Sequence, residues 1–262
     1  MAAGAVRYDF SGQRVMITGG SRGIGYAIAE AFARAGATVS ILADDDGVVA
    51  AAEQLHNETG ADIRPFRCDI TDSLSVAAAI ADHDPIDVLV NNAGIEFISP
   101  IDDPEPHVDE TFRRIIETNV IGTWNVTRAA IPLMPEGARM IVTCSIWSRT
   151  SVAEFSGYCA SKHADLGFMR SMARDLMPRG IRVNGVCPGW VRTDAAMRSL
   201  GVMARRTGRD ESDLLDEIVS AQVMDGLLEP ADVAPVYLFL ASEASASMVG
   251  QALNVDRGEL MP

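Results

Sequence analysis

Tyr158 and Lys162 stand four residues apart in the stretch Tyr158-Cys159-Ala160-Ser161-Lys162. On a helix that spacing stacks them one turn apart on the same face. A phenol has a reference pKa of about 10, too high for a base at neutral pH. An ammonium a few ångströms away favours the phenolate and lowers that value. Bringing it to about 7 takes roughly 4 kcal/mol of differential stabilisation, within reach of a cation in a partly dry site. Such a phenol passes a proton to or from a substrate oxygen. Alone, a motif this short is most often a plain surface helix with an exposed lysine. The rest of the chain decides.

Near the start, Arg14-Val15-Met16-Ile17 reads as a strand and runs directly into Thr18-Gly19-Gly20-Ser21-Arg22-Gly23-Ile24-Gly25. A helical pattern follows to Arg34, with Gly36 closing it. A glycine-rich turn between a strand and a helix aims backbone N–H groups and the helix dipole at a pyrophosphate. Side chains there would block the close approach. The spacing is G-x3-G-x-G rather than G-x-G-x-x-G. The second strand, Thr38 to Ala43, ends in Asp44-Asp45-Asp46, where a carboxylate can hold the ribose hydroxyls of an adenosine. Three acids repel a 2′-phosphate, whereas Arg22 in the glycine turn would accept one. The acids outnumber it, so NAD is expected ahead of NADP.

Further along, a helix (48–58) and a third strand (63–66) lead to Asp69, an acid at a strand end suited to the adenine edge. After a helix over 73–81, Ile86 to Val90 reads as a buried parallel strand that breaks into Asn91-Asn92-Ala93-Gly94. Ligands bind at such carboxyl ends in open α/β sheets. A long helix is expected from about Val108 to Ala130, with Asn119 inside it. Another strand, Met140 to Ser145, puts a hydroxyl at its end, 13 residues before Tyr158. The strand 181–186 runs into the turn Cys187-Pro188-Gly189-Trp190-Val191-Arg192-Thr193. Residues 194–229 read as polar and less regular; 233–240 reads as a helix and 252–255 as a last strand. Alternating strands and helices imply an α/β fold, a parallel sheet covered on both faces.

The composition narrows the partners. At 48% apolar and 22% charged, the 262-residue chain has ample core for one domain. A net charge of −14 disfavours nucleic acid and anionic membrane surfaces. No apolar run approaches the roughly 20 residues of a membrane span. Cys68, Cys144, Cys159 and Cys187 are scattered, and Met1 to Gln13 lacks an apolar leader pattern, so a reduced, cytoplasmic protein is expected. His56, His83, His107 and His163 have no ligand spacing, and no metal is expected.

Taken together, the motifs TGGSRGIG (18–25), CDITD (68–72), NNAG (91–94), Asn119, Ser145, YCASK (158–162) and PGWVRT (188–193) resemble the short-chain dehydrogenase/reductase family over the whole chain. The resemblance implies a doubly wound Rossmann-like sheet in a single domain, 1–262, with a substrate lid at about 190–229. It implies a catalytic tetrad of Asn119, Ser145, Tyr158 and Lys162. Cofactor positions carried over are Gly19, Ser21, Arg22, Gly23, Ile24 and Gly25 in the first turn, then Asp44, Asp69 and Ile70. Asn91, Ala93 and Gly94, Tyr158 and Lys162, and Pro188, Gly189, Val191 and Thr193 complete that set. Substrate would meet Glu96, Ser145, Trp147, Phe155, Tyr158 and Trp190. The implied reaction is hydride transfer between a nicotinamide and a secondary alcohol or ketone (a polyol, hydroxy acid or other small hydroxy compound). In it Tyr158 is the acid/base, Lys162 lowers its pKa and holds the nicotinamide ribose, and Ser145 bonds the substrate oxygen. Asn119 would hold a water for proton relay.

Two positions depart from the family pattern. The strand-end acid falls one place late, at Asp44 after Ala43, and Asp256-Arg257-Gly258 stands where Asp-Gly-Gly is usual. Arg257 is expected to alter a subunit contact or the pocket floor. Arg205, Arg206 and Arg209 form a cluster in the lid that suits a solvated loop better than an anionic substrate. Family members form tetramers through the helices at 108–130 and 157–178. Both carry more apolar residues than one face needs (Ile115, Ile116, Val120, Trp124; Leu166, Phe168, Met169, Met172), so a homo-oligomer is expected, a tetramer ahead of a dimer. Two other readings compete: a non-catalytic nucleotide sensor on the same fold, and a methyltransferase. Neither needs Tyr158, Lys162 and Ser145 together.

Overall fold

A computed structural model describes residues 6–81 and 83–261, so part of the stretch read as lacking a leader, residues 1–5, lies outside the description. Seven strands form one parallel sheet in the order β3-β2-β1-β4-β5-β6-β7. They are β1 (Arg14–Thr18), β2 (Thr38–Ala43), β3 (Ile63–Arg67), β4 (Val88–Asn91), β5 (Arg139–Thr143), β6 (Arg182–Pro188) and β7 (Ala252–Val255). Strand residues alternate between the two faces, as a period of two requires. In β1, Val15 and Ile17 enter one core layer and Met16 the other. The first layer is closed by α1 (Gly23–Arg34), α2 (Gly47–Thr59) and α9 (Pro230–Ala241), which supply Ile28, Phe32, Leu55 and Tyr237. The second is closed by α3 (Ser73–Ile80), α5 (Thr123–Ala130) and α6 (Ser156–Leu176), through Ile80, Val126 and Met169.

Strand order reverses between β1 and β4, so their carboxyl ends flank a crevice. Every candidate site residue therefore lies at one end of the sheet or on a helix that packs beside it. Among the described residues, no helix is long and apolar enough to cross a membrane.

Two segments depart from the sequence reading. The helix expected over 108–130 is three pieces: α4 (Pro106–Ile116), a π-helical turn at Glu117–Gly122, and α5. Asn119 sits in that turn, fully buried. The region 194–229 is not irregular: it contains α7 (Asp194–Thr207) and α8 (Glu211–Ser220). Thr193 caps α7, its hydroxyl accepting from the Ala196 amide at 3.2 Å, and Leu200, Ala204 and Leu214 bury one apolar stripe between the two helices. A dense charged face masks that stripe in the sequence.

The surplus apolar residues divide by face. Ile115, Leu166 and Met169 are buried, whereas Trp124 is 45% exposed, Ile121 40% and Phe112 38%. The Trp124 ring meets Phe168 edge-on at 6.4 Å across the α5–α6 boundary, which leaves an apolar ridge on the outside of the domain.

Candidate active site

The turn after β1 is built by its glycines. A Cβ at Gly25 would lie 2.0 Å from the Gly19 carbonyl oxygen, and one at Gly20 2.7 Å from Ile41. The loop is fastened from β4: Thr18 Oγ1 accepts from the amides of Asn92 and Ala93, each at 3.0 Å. Asn92 Nδ2 donates back to the Thr18 carbonyl at 3.1 Å, and Asn92 Oδ1 accepts from Thr143 Oγ1 at 3.2 Å. One amide thus ties together the ends of β1, β4 and β5, a role that the run of two asparagines does not announce. α1 begins at Gly23 with no side-chain cap, so its first N–H groups are left for an anion.

The three acids after β2 have different fates. Asp45 pairs with Arg22 at 2.6 Å and accepts from the Gly47 amide at 2.8 Å. Asp46 pairs with Arg67 at 2.9 Å. Asp44 is exposed at the strand end with no ion pair among the described residues. Asp69 accepts from the amide and hydroxyl of Thr71, at 2.9 and 2.8 Å. Ile70 is buried against Gly122, so its side chain faces the core and only its main chain is left to meet a ligand. Asn91 is buried too; its Nδ2 donates to Thr127 Oγ1 at 2.9 Å while Oδ1 has no partner.

A cleft at the carboxyl ends of β4, β5 and β6 brings Ser145, Tyr158, Glu96, Trp147 and Trp190 together with Ile24 and Thr193 from the glycine-turn side. Pro188, Gly189 and Val191 line the same cleft. Phe155 does not. It is fully buried, with its ring 5.2 Å behind Trp147, which it supports from the core side; the sequence reading of Phe155 as a substrate contact is corrected accordingly. Gly94 packs beside the tetrad: an added Cβ would be 3.2 Å from Asn119 Oδ1 and 3.7 Å from Lys162 Nζ.

Ser145 is held from both sides. Its hydroxyl accepts from the Trp147 amide at 3.1 Å, and its own amide donates to Ser148 Oγ at 3.0 Å. Tyr158 packs edge-on against Trp147 at 5.8 Å, with Lys162 Nζ 5.7 Å from its ring centre. Lys162 donates to the Thr143 carbonyl at 2.8 Å and to Asp165 Oδ2 at 2.9 Å, deep in the core. This changes the electrostatics that the spacing alone suggests. Burial pushes the Tyr158 phenol up to about 12, against the downward pull of Lys162 and the Ser145 hydroxyl, with Glu96 and Asp165 adding to the rise. Lys162 is itself held above the usual lysine range: burial lowers it, and Asp165, Tyr158 and Cys144 together outweigh burial. The phenol is therefore protonated at neutral pH, a ready acid rather than a ready base.

Asn119 is a clamp. Oδ1 accepts from the Ile95 amide at 2.8 Å, and Nδ2 donates to the Ile95 carbonyl at 3.0 Å and to Ser161 Oγ at 2.9 Å. Both amide hydrogens are used, so the side chain positions the 94–96 turn instead of donating to a relay water. Beside it, Glu96 Oε1 is buried, with no hydrogen-bond partner among the described residues. Burial raises the Glu96 carboxyl, opposed by the Ser199 hydroxyl, Arg198 and Lys162.

Of the three clustered arginines, Arg206 on α7 and Arg209 just past its end are in ion pairs. Arg206 bridges Glu154 at 3.0 Å and Asp103 at 3.2 Å, fastening α7 to the loops before α6 and α4, and Arg209 pairs with Glu217 at 2.8 Å. Arg257 adopts φ 53°, a conformation natural to the glycine usual there. Its guanidinium donates to the Asp225 carbonyl at 2.7 Å and reaches Asp232 at 3.4 Å, so it joins the segment after α8 to the start of α9.

Comparison with known proteins follows the same lines. A family model described as enoyl-(acyl carrier protein) reductase matches residues 19–259. The chain is 34% identical to oxidoreductase UcpA of Salmonella typhimurium over 266 residues, 96% of each chain. The crystal structure of L-sorbose reductase from Gluconobacter frateurii, complexed with NADPH and L-sorbose, superposes with a TM-score of 0.89 at 28% identity, covering 98% of this chain and 100% of the other. A short-chain type dehydrogenase/reductase from Mycobacterium marinum gives 0.84 at 32% identity, covering 97% and 98%.

Proposed function

This chain belongs to the short-chain dehydrogenase/reductase family, and from that premise we infer that Ser145, Tyr158 and Lys162 act as one acid/base device, with Asn119 positioning it. The protein is an NAD(P)-dependent oxidoreductase that interconverts secondary alcohols and ketones, not an inert scaffold. The observation that carries our reading is the meeting of Ser145 and Tyr158 with Glu96 and the two tryptophans in a single cleft beside the glycine turn. When bound, the nicotinamide supplies the hydride chemistry.

The residues fit such a cofactor. The uncapped start of α1 and the side-chain-free turn suit a pyrophosphate, with Gly19, Ser21, Gly23 and Ile24 beside it. Asp44 would hold the adenosine ribose, Asp69 the adenine edge, and Lys162 the nicotinamide ribose through its remaining N–H. The Tyr158 hydroxyl gives its proton to a carbonyl oxygen that Ser145 holds, or takes it back from the alcohol. Residues 190–229, with α7 and α8, serve as the lid. We read NAD as the preferred cofactor, because Asp44 has no ion pair among the described residues and Arg22 is held by Asp45. L-sorbose reductase is complexed with NADPH, so this preference is one the chain owes to its own acids.

Glu96 narrows the substrate. A buried carboxylate oxygen without a partner costs about 1–3 kcal/mol, which a substrate hydroxyl next to the reacting carbon relieves. A small polyol or hydroxyketone is therefore the substrate class. Steady-state kinetics over matched alcohols and both cofactors test this. A vicinal diol should exceed the corresponding simple alcohol in kcat/KM by about tenfold, and NAD should exceed NADP. Equal rates for diol and simple alcohol would remove Glu96 from the site, and a tenfold preference for NADP would mean that Arg22 leaves Asp45 to take the phosphate. Absence of turnover with every alcohol and ketone would sink the acid/base reading itself.

The ridge of Phe112, Ile121, Trp124 and Phe168 supports a homo-oligomer, with a tetramer ahead of a dimer if the C-terminal strand makes the second contact. Light scattering at micromolar concentration should give a multiple of 28.0 kDa, and the monomer mass would refute it. Four unpaired, buried cysteines suit a reducing compartment, and we place the protein in the cytoplasm.

A further inference from the structure

The face of α6 that meets the sheet is Lys162, Asp165, Leu166, Met169, Ala173 and Leu176, all buried. By helical period each of these positions calls for an apolar residue. Lys162 is there because its ammonium must reach the site. Asp165 reaches no cleft and touches no substrate position. Its carboxylate meets Lys162 Nζ at 2.9 Å, with side-chain exposures of 3% and 5%. A buried carboxylate is costly, and replacing such a pair with apolar residues is often neutral or stabilising, so stability alone is a weak reason for it.

We propose that Asp165 is a positioning residue for the acid/base device: by holding Lys162 in a buried ion pair it fixes the direction of the ammonium and cancels part of its charge, poising the site to donate a proton. The inference rests on the reading of Tyr158 and Lys162 given above. Its physical basis is charge cancellation. With Asp165 one helical turn from Lys162, the phenol faces a dipole in place of a full positive charge. Second, Asp165 fixes direction, since two of the three ammonium hydrogens go to Asp165 and the Thr143 carbonyl, leaving one for the cleft.

Other groups also face the couple, and of them Glu96 acts in the same sense as Asp165. From the turn after β4 comes Glu96, with Arg198 and Ser199 beside it. From β5 and its extension come Cys144 and Ser145, from β6 Cys187 with Arg149 near it, and from α9 Tyr237, whose hydroxyl meets Thr143 Oγ1 at 2.7 Å. Glu96 adds negative charge near the phenol, in the same sense as Asp165. The two arginines act on Glu96 and Cys187.

The test is the pH profile of kcat/KM for alcohol oxidation in wild type, Asp165→Asn and Asp165→Leu. Because the two sites are coupled, the profile reports the couple, not either residue. Without Asp165 the first proton leaves the couple at lower pH, and the midpoint of the rising limb should fall by about one unit or more, close to a tenfold gain in the active form at pH below both midpoints. Profiles with an unmoved midpoint, whatever their amplitude, would show that Asp165 is only structural. Should both variants misfold, the wild type still decides. The difference in absorbance near 295 nm between wild type and Tyr158→Phe should show the Tyr158 phenolate appearing at or above the ordinary phenol value of about 10. Its appearance below about 8.5 would overturn the proposal. If Tyr158→Phe itself retains turnover, the acid/base reading fails, whereas an inactive Tyr158→Phe with an unmoved Asp165→Asn midpoint defeats this inference alone.

Discussion

Tyr158→Phe is expected to lower kcat by about 10²–10⁴-fold, the range for loss of a positioned acid/base, while cofactor affinity stays within a few-fold of wild type. Only the hydroxyl is removed. The ring keeps its edge-on contact with Trp147 at 5.8 Å, so the wall of the cleft stays in place. Lys162 keeps both of its bonds, to Thr143 and Asp165, because neither involves the phenol. The loss should therefore fall on kcat, with little change in melting temperature. Single-turnover kinetics with saturating cofactor separate the two effects, and turnover within a few-fold of wild type would discard Tyr158 as the proton carrier. The wild type adds a pH signature. The phenol is pushed up to about 12 by burial, so its neutral form persists through pH 7 and is lost only as pH approaches that value. Reduction, which needs the neutral form, should hold its rate from pH 6 to 9, while oxidation should climb with pH.

Gly25→Ala is the second large effect, and it acts on binding. The new methyl would sit 2.0 Å from the Gly19 carbonyl oxygen and 2.6 Å from Asn92 Nδ2. The first obstacle is backbone, so no side chain can turn aside to relieve it. The turn after β1 must open, and with it the bonds that Asn92 makes to Thr18 and Gly19. Overpacking of this kind costs about 1–3 kcal/mol or more, which for a domain of this size lowers the melting temperature by about 2–4 °C per kcal/mol. Cofactor affinity should fall by at least about 100-fold, since the N–H groups that would bind the pyrophosphate no longer converge. Gly167→Ala is the matched control. That glycine lies in α6 with nothing within 4 Å of the added methyl, so the variant should bind cofactor normally and gain slightly in stability. Calorimetric titration and a melting curve for both variants settle it; wild-type affinity in Gly25→Ala would move the cofactor cradle elsewhere.

Strand-to-helix punctuation makes the sheet legible in the sequence. β1 and the glycine turn are adjacent in sequence, and the contact between Gly19 and Gly25 is local, so residue types determine it. Tyr158 and Lys162 are likewise one helical turn apart. What the sequence concealed was set by distant partners. The direction of the Tyr158 shift depends on burial and on the engagement of Lys162 with Asp165, neither visible in a four-residue spacing. Asp165 did leave a signal, a carboxylate at a core position between Lys162 and Leu166. Phe155 is a substrate position only by the family resemblance; here the φ of 66° at Glu154 marks a bend in the chain just before a ring that ends in the core. α7 and α8 are obscured by their charge: Arg206 reads as loop because its partners, Asp103 and Glu154, are found only by folding.

The π turn at Glu117–Gly122 separates the length of this helix from its phase. In an unbroken α-helix each residue advances the chain by about 100°, so one surplus residue would rotate everything after it by that angle. Val126 and Ala130, both fully buried in the second core layer, would then swing away from the sheet. A wider turn absorbs the surplus where it occurs. α4 and α5 thereby keep the phase of a helix one residue shorter, and the extra residue is confined to the hexapeptide that carries Asn119. Shortening that hexapeptide by one residue would keep α5 in phase with the sheet and α4 against α6 while removing the widened turn that presents the amide to Ile95 and Ser161. The clamp on the catalytic helix is thus carried by a local widening of the scaffold, set apart from the phase of the helices on either side.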